Sequence, residues 1–110
     1  MINKKNENEL IDALVEVKVT PQRGLGFDRF AESLIDHPEV DSVYLMSGGF
    51  DIMIILSGVT IKDVSYFVSE KIAPLESVIS TSTHFILKKF KDRGVKYPSG
   101  TPVQERVTIL

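Results

Sequence analysis

The stretch Val40-Asp41-Ser42-Val43-Tyr44-Leu45-Met46-Ser47-Gly48-Gly49-Phe50-Asp51-Ile52-Met53-Ile54-Ile55-Leu56 decides the fold. Residues 40–47 are rich in β-formers and residues 50–56 are almost wholly apolar, so both read as strands. Only Gly48-Gly49 separates them, and a glycine pair between two β-forming runs signals a hairpin. The fold therefore contains two adjacent antiparallel strands joined as a hairpin.

Upstream, Ala13, Val15, Val17 and Val19 alternate with Leu14, Glu16, Lys18 and Thr20, the period of a strand with one face in a core. Pro21 ends it, and Gln22-Arg23-Gly24-Leu25-Gly26 reads as a loop. Phe27, Phe30, Ala31, Leu34 and Ile35 then form one helical stripe that stops at His37-Pro38. Downstream, Thr60-Ile61-Lys62-Asp63 resembles a capping box, imperfect because Asp63 is shorter than the usual glutamate. Val64, Phe67, Val68, Ile72 and Leu75 form a second helical stripe, and a long last strand is expected over residues 78–90. Glycines and prolines mark a loop beyond it, with residues 107–110 as a short final strand. The order β-α-β-β-α-β is that of the ferredoxin-like fold. The fold class is α+β: a four-stranded antiparallel sheet with two helices on one face.

With 110 residues the chain is sized for one domain that holds a core without staples. It has no cysteine, which excludes disulfides, thiolate zinc sites and a cysteine nucleophile. No apolar run reaches membrane-helix length, and residues 1–7 lack the apolar stretch of a signal peptide, so a cytoplasmic location is expected. A formal net charge of −2 and a pI near 5.6 argue against direct DNA binding by this domain.

Two helices cover one side of such a sheet, and the other side should be polar if it faces water. It is not. Met53 and Ile55 share the open face, joined by Tyr44, Met46 and Ile86, and a patch of this kind is buried by a copy of itself. A homodimer through the open face is expected; the alternative is cover by the C-terminal tail of the same chain.

Catalytic constellations are thin. His37 sits at a helix end, where a cation suits the dipole, and His84 has no partner at metal spacing. Gly24-Leu25-Gly26 lacks the third glycine of a dinucleotide loop. Lys88-Lys89-Phe90-Lys91-Asp92-Arg93 reads as a solvated strand end. No catalytic residue, metal or cofactor is expected. Gly48 and Gly49 leave backbone amides able to hold a carboxylate, and Asp51 can pair with an ammonium group, the two ends of an α-amino acid. Ser80-Thr81-Ser82-Thr83 adds four successive hydroxyls before His84. Spacing alone favours the plainer reading, in which Asp51 caps the turn and the hydroxyls simply serve a strand.

At these residues a family becomes visible. Val43-Tyr44-Leu45-Met46-Ser47-Gly48-Gly49-Phe50-Asp51 closely resembles the V-x-x-x-S/T-G-x-Y/F-D hairpin of the Lrp/AsnC regulators of amino-acid metabolism. Residues 67–72 and 78–87 resemble that family's second helix and last strand. The resemblance implies the effector-binding (RAM) domain over residues 12–90, between a polar leader (1–11) and a C-terminal loop with a short strand (91–110). It further implies sheet-to-sheet dimers, assembly into octamers, and an amino-acid effector bound at subunit interfaces. The site it implies comprises Gly48, Gly49, Phe50 and Asp51 with Thr81, Ser82, Thr83 and His84, and Phe85 as a wall. Typical members also carry an N-terminal helix-turn-helix domain, for which the residues ahead of the first strand leave no room. The expectation is thus a sensing and oligomerisation domain without DNA-binding elements, free-standing or excised, that co-assembles with full-length Lrp/AsnC regulators. Two alternatives share the element order: a dimeric haem- or quinone-binding monooxygenase or decarboxylase built around His84, and an ACT-like regulatory domain.

Overall fold

The computed structural model describes residues 9–21 and 26–98. Strand β1 is Ile11–Val19, and its alternation sorts its side chains as expected: Ala13, Val15, Val17 and Val19 are buried. Helix α1 (Asp28–Leu34) lays Phe30 and Leu34 on them, with Phe27 and Ala31 packed alongside. Strands β2 (Val40–Leu45) and β3 (Ile52–Val59) follow, the latter sending Ile52, Ile54 and Leu56 into the same core. Helix α2 is Ile61–Phe67, and strand β4 is Val78–Phe85. The sheet order is β2-β3-β1-β4, every neighbouring pair antiparallel. This is the ferredoxin-like arrangement of a four-stranded antiparallel sheet with two helices. Each large apolar side chain fully withdrawn from water contributes roughly 1.5–3 kcal/mol, and Phe67, Leu34, Ile52, Ile54, Leu56 and Ile72 are the largest so withdrawn.

The start of α2 is a complete capping box. Asp63 N–H donates to Thr60 Oγ1 at 3.0 Å, and Thr60 N–H donates to Asp63 Oδ2 at 3.1 Å. The shorter aspartate closes the box after all. Beyond Phe67 the winding widens over Val68–Ile72 into a π-type turn, closed by Ala73 N–H donating to Val68 O at 2.8 Å. The widening has a packing cause. Phe67 and Ile72 are five residues apart, a spacing that an α-helix would place about 140° apart around its axis. The wider turn brings both to full burial.

Several boundaries differ from the sequence expectation. Ile35 lies beyond the end of α1 and is 60% exposed, so the stripe ends at Leu34. Leu75 likewise follows the end of the helical winding and is 37% exposed. The β2–β3 connection is longer than a two-glycine turn, because Met46 N–H pairs with Asp51 O at 2.8 Å and leaves residues 47–50 as the tip. Strand β4 stops at Phe85 and not at 90. Ile86 N–H still donates to Asp12 O at 2.9 Å, after which the chain turns into a small hairpin of β5 (Lys91–Asp92) and β6 (Val95–Lys96). Residues 22–25, most of the polar leader and the short strand expected at 107–110 lie outside the described residues. Among those described, no helix is long and apolar enough to cross a membrane.

Candidate functional site

The hairpin motif sits where three strands meet. Asp51 uses its carbonyl for Met46 and its N–H for Val17 O at 3.1 Å, while its Oδ2 accepts the Val19 N–H at 3.0 Å. The carboxylate therefore terminates β1, the capping role open from the sequence, and it does so from a half-buried position. Gly48 and Gly49 are exposed at the tip, Gly48 at a positive φ of 146°, and neither N–H makes a hydrogen bond among the described residues. Phe50 is half-buried between them and Asp51.

Register divides the strand half of the motif. Ser82 lies opposite Glu16 and His84 opposite Leu14, so both share the open face. Thr81, Thr83 and Phe85 lie opposite Val17, Val15 and Ala13, on the helix-covered face. Thr81 and Asp51 flank Val17 from its two sides, so β1 stands between them and the separation across it is about 10 Å. Within the chain, Thr81 lies level with Asp51 across β1, whereas His84 and Phe85 lie farther along the strand, opposite Leu14 and Ala13. His84 Nε2 is 3.1 Å from Glu16 Oε2 and 3.3 Å from Ser82 Oγ, a polar cluster in the middle of the open face. His37 does not line this site; its ring packs edge-on against Phe67 at 5.5 Å.

Tyr44 pairs with Met53, and Ser42 with Ile55, which puts these side chains on the open face with Leu14. Tyr44 is 51% exposed and Met46 38%. Ile86 lines the same cleft as Tyr44 and Ile55, so it belongs to this face although it lies beyond β4.

One pair went unforeseen. Asp12 is 8% exposed, accepts the Gly58 N–H on Oδ1 at 3.0 Å, and holds Lys89 Nζ on Oδ2 at 2.6 Å. Asp92 stands 3.6 Å from the same ammonium. Lys89 is therefore no solvated strand end. Its burial works to lower its pKa, but the hydrogen bond and charge of Asp12, then Asp92 and Tyr97, outweigh that and raise it above the ordinary 10.5. Gly58 fits here because β3 bulges opposite Asp12 and takes a φ of +63°. An acid beside a strict alternation, with a glycine inside an apolar strand, was the available signal.

Residues 12–95 match the Lrp/AsnC ligand binding domain, and the chain belongs to that family. It is 48% identical over 97 residues to the uncharacterized HTH-type transcriptional regulator YugG of Bacillus subtilis, covering 88% of this chain and 58% of that one. It is 28% identical over 83 residues to the proline dehydrogenase transcriptional activator of Rhizobium radiobacter, covering 76% of this chain and 53% of that one. Among solved structures, a transcriptional regulator of Neisseria meningitidis in complex with L-Met superposes with a TM-score of 0.67 at 20% identity. That likeness of fold covers 91% of this chain and 64% of the other. The chain thus spans little more than half the length of the curated relatives it matches. The family and these relatives are transcriptional regulators and not enzymes.

Proposed function

We propose that the chain is an amino-acid-sensing, non-catalytic oligomerisation domain, acting in the cytoplasm through assembly and not through DNA contacts of its own. The observation that carries this reading is the open sheet face, where Tyr44, Met46, Met53, Ile55 and Ile86 present apolar surface on a sheet whose other side packs against the helices, exposed Leu45 at its edge excepted. A second copy covers that face by two-fold symmetry, and dimers join into larger rings such as octamers.

The effector is held where subunits meet, by Gly48, Gly49, Phe50 and Asp51 on one side and Thr81, Ser82, Thr83, His84 and Phe85 on the other. The separation of the two halves by β1 supports a site completed by a neighbouring subunit. The unengaged Gly48 and Gly49 amides suit a carboxylate. Ligand shifts the assembly equilibrium by its differential affinity for the assembled states, and co-assembly with full-length Lrp/AsnC regulators passes that shift to DNA-bound partners. A thermal-shift screen with the twenty amino acids tests the reading, because a ligand of the folded state raises its melting temperature. The expected result is a shift with one or a few of them; no shift with any contradicts effector binding.

A further inference from the structure

A polar pair stands among the apolar residues of the open sheet face, and register fixes its place. Tyr44, Met53, Glu16 and Ser82 form one row across the four strands, and Ser42, Ile55, Leu14 and His84 form the next. Neighbouring strands lie roughly 4.8 Å apart, so Glu16 is directly beside Met53, on one of the two inner strands. A surface that covers Met53 and Ile55 therefore covers Glu16 as well.

Glu16 Oε2 is 3.1 Å from His84 Nε2, and the two side chains are 32% and 51% exposed. Ser82 Oγ is 3.3 Å from the same nitrogen. An ionised carboxylate only accepts, so Nε2 carries the hydrogen of this contact. The proton that makes the ring cationic then goes to Nδ1 and leaves the contact in place. In a single chain, water solvates Glu16 whether the ring is neutral or charged. Under a second copy that water is gone, and a carboxylate in an apolar contact is costly unless a cation pairs with it. The covered face thus favours imidazolium over imidazole.

We propose that in the face-to-face dimer, on which this inference rests, Glu16 and His84 form a pH switch: each copy binds a proton at His84 as the two faces close. A group that holds its proton more tightly in the assembled state strengthens assembly below its free-state pKa. That gain is lost as pH rises through the assembled-state value. Histidine ordinarily titrates near 6.5, so association tightens as pH falls from about 8 to about 6. Two-fold symmetry places two such pairs in one interface, which steepens the response.

The other charges around the pair leave this window to His84. On β1, Lys18 lies opposite Ser80, one row beyond Glu16, and no ion pair joins the two among the described residues. Strand β3 contributes Met53 and Ile55, both uncharged. At the far end of the face, Asp12, Asp41, Lys89, Asp92 and Arg93 line one cleft. Carboxylates, lysines and arginines ordinarily keep one charge state between about pH 6 and about pH 8. The other histidine, His37, packs on Phe67 of α2.

Sedimentation equilibrium of the full chain at about pH 6 and about pH 8, at one ionic strength, is the test. Amino acids are left out, because His84 also belongs to the proposed effector site. Wild type should dimerise at least about tenfold more tightly at the lower pH, and His84→Gln should remove the difference. Glu16→Gln keeps an acceptor without the charge, so acidification buries an unpaired cation and should weaken that dimer, reversing the sign. Where dilution does not part the copies, subunit exchange between two fluorescently labelled pools reads the same change, slower at the lower pH. A wild-type dimer of equal strength at both pH values overturns the switch and leaves the dimer standing. Retention of the wild-type response in His84→Gln or Glu16→Gln overturns it too. A chain that is monomeric at both pH values overturns the dimer, and the switch with it.

Discussion

Lys89 Nζ lies 2.6 Å from Asp12 Oδ2, an ion pair between residues 77 positions apart whose side chains are only 12% and 11% exposed. It fastens the segment beyond β4 to the start of β1, opposite the β3 bulge. Lys89→Met leaves Asp12 with a buried charge and only the Gly58 N–H, and should cost about 3 kcal/mol in urea denaturation. Because the folded-state pKa of Lys89 is raised, its contribution is fully present below the unfolded value and is lost as pH rises through the folded one. The gap between wild type and Lys89→Met should therefore stay constant from about pH 7 to about pH 10 and narrow only above that. A gap that shrinks below pH 9 or so contradicts this account of the pair.

Asp51 combines two roles that substitutions separate. Asp51→Ala removes the acceptor of the Val19 N–H and should cost about 1–3 kcal/mol of stability. Asp51→Asn keeps an acceptor oxygen and should retain most of that stability. If the carboxylate also neutralises the effector's ammonium, Asp51→Asn abolishes the effector's thermal shift in a folded protein. Retention of the full shift removes Asp51 from the effector site.

The sheet was legible because its signals are periodic and local. Val15, Val17 and Val19 declare a face by alternation alone, and Thr60 and Asp63 declare a helix start within four residues. The faces of the candidate site were not legible. Thr81 to Phe85 is an unbroken polar-aromatic run, so only its pairing with β1 shows which residues face the helices. The role of Asp12 went unread because its partner, Lys89, lies near the other end of the chain. The π-type turn was hidden for a related reason: it exists to bring Ile72 into the core, a tertiary demand that overrides the 3.6-residue period.

Gly58 is in the bulge at a φ of +63°, with nothing within 4 Å of where a Cβ would stand. Substitution there costs conformational energy without steric clash. Gly58→Ala should lower stability by about 1–2 kcal/mol, and Gly58→Asn by less, since asparagine enters the left-handed region more readily. Equal losses in both variants would mean that the site is limited by space and not by backbone conformation.

Thr60→Ala removes one half of the capping box and should cost about 1 kcal/mol, read as a lower midpoint in urea with an unchanged slope. Thr60→Ser keeps the hydroxyl and should stay within a few tenths of a kcal/mol of wild type. A full loss in the serine variant would contradict the hydrogen bond as the source of the effect.

The apolar open face is the centre of the functional account, and solution mass tests it most directly. Light scattering during size exclusion should give at least twice the 12.3 kDa chain mass. Ile55→Glu, which places a charge in that face, should elute at 12.3 kDa with an unchanged circular dichroism spectrum. A wild-type protein that stays at 12.3 kDa across micromolar concentrations would contradict the account.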